Sequence, residues 1–367
     1  MVHTFADDST HARGSASQHL HVTVEPAFDF LSAEYRSLFE ASAATAFQHP
    51  LWLDAFYRRL APIQRARPVV VTGRDRRSGE LQFLLPMIAR QKSGARLIES
   101  TDLGVSDYAA PVIRAGWQIG PDAKRAVAAA LPSADVVRIR PVREDHVEGW
   151  RALLDVPAEP AGFSAHASHH GTDHRAWRQR AMSDGFVKKL DRNARRLLEG
   201  GGRLRLLRDD GEIGRAIAII RDLRRGRFEG DPIQQQAYFD FYTEIAKAGV
   251  GEGITRVYVL ENESGWIGAT FNLAYRGALH HLLIGCDYDQ YGRHSPGTVF
   301  YDAMSRDWAA AGGVTFDFTI GDEPYKASFG TEKTPMFELA RGLNWRGKLA
   351  RAALDARRRL RQRAATD

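Results

Sequence analysis

Only one cysteine, Cys286, occurs in the 367 residues. A lone thiol excludes an internal disulfide and any cysteine-built zinc site, and it fits a reducing compartment. Cys286 closes the apolar run that starts at Leu282, so a packing role is expected for it rather than that of a nucleophile. Long hydrophobic runs are missing too. No 18 successive residues are apolar, and the first 25 lack any apolar stretch that reads as an export signal. The expectation is a cytoplasmic protein with no transmembrane segment. Glu and Cys are also missing beside the four histidines His166, His169, His170 and His174. Their one-turn spacings suit a metal, but with no Glu or Cys beside them no metal site is expected.

What is present is the balance of a folded enzyme-sized chain. Hydrophobic residues make up 44% and charged residues 26%, with 18 Phe, 11 Tyr and 7 Trp, enough for two cores rather than one. The formal charge of +6 favours anionic ligands. It concentrates in two stretches, 188–208 and 341–363, each of which also reads as a solvated helix face.

Periodicity predicts an α/β (α+β) chain in two comparable halves. In the first, strands are expected at 21–24, 68–72, 81–89, 95–100 and 136–139, with helices at 33–44, 50–60 and 122–131. In the second, strands are expected at 204–207, 255–261, 266–275, 280–286 and 314–319, with helices at 186–199, 212–225, 233–248 and 296–311, and a last apolar stretch at 335–339. The order of elements is alike, although no residue-level repeat supports duplication. The division follows as a leader at 1–20, a first domain at 21–156, a Pro- and Gly-flanked polar connector at 157–185, a second domain at 186–340 and a basic tail at 341–367.

Two segments carry chemistry. Asp287 to Thr298 joins a strand directly to a helix that opens with Ser295, Pro296 and Gly297. Small residues at a helix start let a pyrophosphate approach free backbone N–H groups, Arg293 adds a charge, Pro296 suits a first turn, and Ser295 is the expected cap. The second segment, Phe316 to Gly330, ends a strand with Asp322, Glu323, Tyr325 and Lys326 in one loop, and strand ends are where α/β sites collect. Acyl transfer to an amine needs a base for the amine and an acid for the departing thiolate, and this loop holds both kinds of group.

Asp322-Glu323-Pro324-Tyr325-Lys326 with Phe329-Gly330, preceded by Tyr291-Gly292-Arg293-His294-Ser295-Pro296-Gly297, resembles the acetyltransferase domain of the CelD/BcsL family, which belongs with the GNAT and FemAB-like proteins. Phe47 to Leu53 and Gly104 to Tyr108 are similar to that family's first-domain motifs, so the resemblance spans most of 45–335. It implies two GNAT-like domains in tandem, each a mixed sheet flanked by helices, and acetyl-CoA or another acyl-CoA held by the second without a metal. Arg293, His294, Ser295, Gly297 and Thr298 would then bind the acyl-CoA; of the usual pyrophosphate loop Arg293 keeps its place and Gly297 is shifted by one. Tyr325 is the implied acid. For the base, Asp322 and Glu323 come first, then His281 or His280, of which alternation along a strand lets one at most face the site, and then Asp107. Asp107, Tyr108 and Lys326 are expected at the acceptor.

The implied activity is direct acyl transfer to an amine or hydroxyl of a sugar, polysaccharide precursor or small metabolite, with polysaccharide-producing proteins as possible partners. The alternatives are a FemAB-like aminoacyl-tRNA-dependent transferase, the one case in which nucleic acid is a partner, and a non-catalytic member of a polysaccharide-producing complex.

Overall fold

The computed structural model describes residues 20–352 apart from Gly200 and Ala350. The expected leader and most of the basic tail lie outside the described residues. The strands in chain order are β1 (Leu20–Glu25), β2 (Arg67–Asp75), β3 (Leu81–Lys92), β4 (Ala95–Ser100), β5 (Val112–Ile113), β6 (Val136–Arg143), β7 (Ala158–His169), β8 (Arg203–Leu206), β9 (Thr255–Asn262), β10 (Gly265–Tyr275), β11 (Ala278–Cys286), β12 (Thr315–Ile320) and β13 (Glu332–Gly342). They form one sheet in the order β1-β2-β3-β4-β6-β13-β7-β12-β11-β10-β9-β8, with β5 on the side of β3.

This order is a strand exchange between two similar halves. The first half ends with β7, which lies between β13 and β12, while the second half ends with β13, which lies between β6 and β7. Each half therefore completes the other's sheet. Within each half one neighbouring pair is parallel, and both parallel ladders are three residues long: Leu97–Glu99 against Val136–Arg138, and Ala278–His280 against Thr315–Asp317. A parallel connection needs a crossover. The helices Pro121–Ala130 and Pro296–Ala310 supply it in the two halves.

The elements form for local reasons. The β2–β3 turn is fastened by Asp75 Oδ1, which accepts from the amides of Arg77 and Ser78, and Gly79 takes the positive φ of 75° that closes it. Helix Ala33–Glu40 starts where the Ser32 hydroxyl accepts from the Tyr35 amide, and helix Asp210–Arg224 where Asp209 accepts from the Glu212 amide. Strands buried on both faces, such as Leu81–Ile88, are runs of large apolar residues rather than alternations.

Helices from both halves share one core on one face of the sheet. There Trp52 packs edge-on against Phe241 at 4.9 Å between ring centres, beside Phe47, Tyr242 and Phe271. Burying such aromatics contributes roughly 2–3 kcal/mol each before entropy is counted. Tyr108 adds a polar fastening across the halves by donating to Asp317.

The segment expected as a polar connector is built otherwise. Residues 158–169 form β7, antiparallel to both β12 and β13, and His174–Ala181 form a helix. Its Pro and Gly residues masked the strand, because they occupy its less buried first half while Ala165, His166 and Ser168 are buried. Helix Glu144–Leu153 was also not anticipated.

Candidate active site

The site is set by how the two strands of the second parallel pair part. The ladder between β11 and β12 ends at His280–Asp317. Just beyond it the Thr319 hydroxyl donates to the His281 carbonyl at 3.3 Å, and Thr319 adopts φ 57°, a conformation that a β-branched residue takes only under strain. Beyond this point β11 runs on through Leu282–Cys286, paired on its β10 side alone. The backbone edge facing β12 is left without a strand partner.

Aromatic rings line the opening. Tyr301, from helix Pro296–Ala310, stacks on Tyr325 at 5.5 Å with their hydroxyls 3.4 Å apart. Phe318 lies 5.3 Å from Tyr301 and 5.3 Å from Phe329. Burial raises the Tyr325 phenol above its ordinary value, an effect that the bond to Tyr301 partly offsets, so its proton is in place at neutral pH.

At the outer end of the opening stands the start of helix Pro296–Ala310. Pro296 carries no N–H, and the Thr298 amide turns back to the Ser295 carbonyl at 3.1 Å. Ser295 does not cap as expected. It sits in the left-handed region at φ 48° and its side chain makes no capping bond, because the tight turn Gly292–His294 delivers the chain to the helix from that direction. Gly297 is required by close approach: a Cβ there would stand 2.6 Å from the Tyr288 hydroxyl. Arg293 is exposed and donates through Nε to His294 Nε2 at 3.0 Å, while Arg227 lies over the Tyr288 ring at 4.1 Å. Arg293 and Arg227 thus place exposed positive charge at the mouth, joined by the charge of Arg196, which together with burial and Arg293 lowers the pKa of His294.

At the inner end, where β11 and β12 rejoin, lies a buried polar network. Asp317 accepts from Tyr108 Oη at 2.8 Å, from the Thr319 amide at 2.7 Å and from His280 Nδ1 at 3.0 Å. Burial alone would raise its pKa, but the bonds from His280, Tyr108 and the Thr319 amide hold it below the usual carboxylate range. Asp107 behaves oppositely. Half-buried in the Gly104–Tyr108 loop, it is raised to about 7 by burial; the nearby Thr319 side chain works against the rise, and the charges of Asp102 and Asp317 add to it. It is thus a carboxyl poised to exchange a proton at neutral pH.

Other expected residues sit elsewhere in this geometry. Tyr108 is 1% exposed and spends its hydroxyl on Asp317, so it braces the loop and does not reach an acceptor. Lys326 is 2% exposed, its ammonium bonded to the carbonyls of Ile320 and Gly321 and paired with Glu323, which makes it the clamp of that turn. Asp322 accepts from His166 Nε2 at 2.9 Å and from the Ser164 amide. Against a burial effect that raises its pKa, these bonds keep it low, a poor setting for a base. His281 bonds Asn272 Oδ1 at 2.9 Å and burial drives its pKa down to about 3, so it stays neutral. Cys286 is buried, its thiol pushed up to about 12 by burial. Among the described residues no His, Cys, Asp and Glu group is placed to hold a metal.

Sequence reasoning gave no role to Asp317, Thr319, Tyr288, Tyr301 or Arg227. Asp317 carried a signal, being an acid between Phe316 and Phe318 in a strand that reads as buried.

Residues 185–327 match the family model described as the acetyltransferase (GNAT) domain. Among curated proteins none matches the chain. Solved structures are similar in fold. A crystal structure of FemX, 11% identical, covers 87% of this chain and 97% of its own with a TM-score of 0.58. A conserved protein of unknown function from Bacteroides thetaiotaomicron, 9% identical, covers 87% and 99% at 0.54. L-PGS from Bacillus licheniformis, 13% identical, covers 88% and 94% at 0.53.

Proposed function

From the premise that its second half carries a GNAT acetyltransferase domain and that the chain is an acyltransferase, we propose that it moves an acyl group from acyl-CoA directly to an amine or hydroxyl, at the opening between β11 and β12. The parting of these strands carries the reading. Pantetheine is a thin chain with two amides, and the edge of Leu282–Gly285 that no strand covers, where the Ile284 carbonyl accepts from Arg224 at 3.3 Å, offers main-chain partners of the kind a neighbouring strand would supply. Arg293, Arg227 and the start of helix Pro296–Ala310 lie at the end where the phosphates would rest. The thioester then reaches the apex at Thr319.

At the apex Asp107 accepts the proton that the acceptor nitrogen or oxygen gives up as it attacks the thioester carbonyl. The new C–N or C–O bond forms, the C–S bond breaks, and the Tyr325 hydroxyl protonates the departing sulfur. Tyr301 holds that phenol by stacking and through its own hydroxyl. No enzyme-bound intermediate is needed, in keeping with a buried, fully protonated Cys286. The CelD/BcsL-like motifs support a sugar or polysaccharide precursor as acceptor, in a cytoplasmic setting.

Calorimetric titration with acetyl-CoA and longer acyl-CoAs tests this. Saturable binding that Arg293→Ala weakens is the expected result, and no binding to any of the series overturns it. The second reading, FemAB-like use of an aminoacyl-tRNA donor, draws support from the fold shared with FemX and from the cationic mouth, and it predicts RNA affinity that salt abolishes.

A further inference from the structure

Apolar side chains stand in water at one end of the first half's sheet, the end away from Ser100 and Asp107. Trp345 is 67% exposed, Leu349 63% and Leu343 48%. Trp345 and Leu349 are one turn apart on the helix that follows β13 and share a face. The helix start is held firmly. Asn344 Nδ2 donates to Asp135 Oδ1 at 2.8 Å, Asn344 Oδ1 accepts from the Gly347 amide, and the Leu343 amide donates to the Asp135 carbonyl at 2.8 Å. Gly347 lies so close to that carbonyl that a Cβ would come within 1.8 Å of it. The backbone that presents the exposed ring is therefore fixed in place.

Positive charge surrounds the rings. Asp135 also accepts from the Arg96 amide at 2.7 Å, so Arg96 borders the same loop from its other side. Arg96 belongs to a recess of about 480 Å³ shared with Arg65, Arg67 and Arg90. Neither Arg65 nor Arg67 forms an ion pair among the described residues. Residues Pro132 to Ala134 separate this recess from an apolar one of about 340 Å³ that includes Leu131, Val156 and Leu343. The sequence continues the pattern. Residues 343–363 hold eight Lys or Arg against the single acid Asp355.

We propose that this end of the protein docks onto an anionic lipid surface, with Trp345, Leu349 and Leu343 entering the headgroup region and Arg65, Arg67, Arg96, Arg346 and Lys348 facing the lipid charges. A cationic surface alone would suit RNA equally, but exposed leucines beside an exposed tryptophan contribute nothing to a phosphate backbone, whereas both favour a bilayer interface. No helix among the described residues is long and apolar enough to cross a membrane, so the attachment is peripheral.

Flotation of the full chain with vesicles tests the proposal, using phosphatidylcholine alone and phosphatidylcholine mixed with phosphatidylglycerol, at physiological salt. Expected are capture by the mixed vesicles only and a loss of affinity of roughly tenfold or more for Trp345→Ser with Leu349→Ser. Arg65→Glu with Arg67→Glu weakens capture separately. All four positions are exposed, so these variants keep their circular dichroism and their acyltransfer rate in solution. Absence of capture by mixed vesicles overturns the proposal. So does equal capture by both vesicle types, or capture that ignores the Trp345 and Leu349 changes and is competed away by RNA.

Discussion

The first half's parallel pair, β4 and β6, begins as β11 and β12 do, with a ladder of three residues, yet it ends closed. Ser100 Oγ donates to the Arg140 carbonyl at 2.5 Å and accepts from the Arg140 amide at 3.0 Å. Next along, the Ala109 amide donates to the Pro141 carbonyl at 2.7 Å, and Trp150 Nε1 fixes the Ala109 carbonyl at 3.0 Å. The loop after β4 has filled the gap that stays open in the second half. The same loop carries Asp107 and Tyr108 across to β12, where Tyr108 meets Asp317. The difference teaches that the first half serves the site with a loop from its own filled gap, and that one acyl-CoA site is expected in a doubled fold.

Four measurements break or sharpen this comparison. The largest effect belongs to Asp107→Asn, which is expected to lower kcat/KM by roughly 1,000-fold. In the parent, kcat/KM rises with pH to a plateau above about 7, and the variant loses that rise. Stability moves the other way. A carboxyl with a folded pKa of about 7 against an ordinary 3.8 holds its proton more tightly when folded, so its contribution falls as pH rises through that window. Asp107→Asn is thus more stable than the parent at pH above 7, by on the order of 2 kcal/mol once partial exposure is allowed for. A slow variant with unchanged denaturation at all pH values contradicts the assignment.

Tyr325→Phe keeps the stack on Tyr301 and removes the proton, so kcat is expected to fall about 100-fold with acyl-CoA affinity within about twofold. An equal loss in affinity would make Tyr325 a packing residue instead. Arg293→Ala is expected to weaken acyl-CoA binding about fivefold, and less at high salt, because an exposed cation contributes roughly 1 kcal/mol. The smallest change tests the closed gap. Ser100→Ala costs about 1 kcal/mol in denaturant unfolding and leaves the kinetics untouched. A kinetic effect there would mean that the first gap also takes part in catalysis.

Most elements were legible in the sequence because their cause is local. Ala95 to Ser100 is a strand in both reading and structure, and the helix read at 296–311 spans Pro296–Ala310, since Pro at the first turn and apolar spacing suffice to specify it. β7 was not legible: it is held by two strands far off in sequence, β12 and β13, and its own Pro160 and Gly162 argue against it. The site divides likewise. Tyr325 and Arg293 stand where their motifs suggested, at a strand-end loop and a helix entrance. Lys326 and Tyr108 could not be placed, because whether a polar side chain faces a ligand or another group of the protein depends on what packs over it.

The sequence by itself determined that the chain is α/β and that its two halves carry a like order of elements, both consequences of periodicity, caps and turn residues acting over short spans. Only tertiary structure decided which gap is open, which carboxyl has its pKa raised to about 7 and how the halves join. Those outcomes rest on long-range contacts. A carboxyl's pKa is set by the water and charges around it, and Asp107 differs from Asp322 because burial dominates at the first while bonds from His166 and the Ser164 amide dominate at the second.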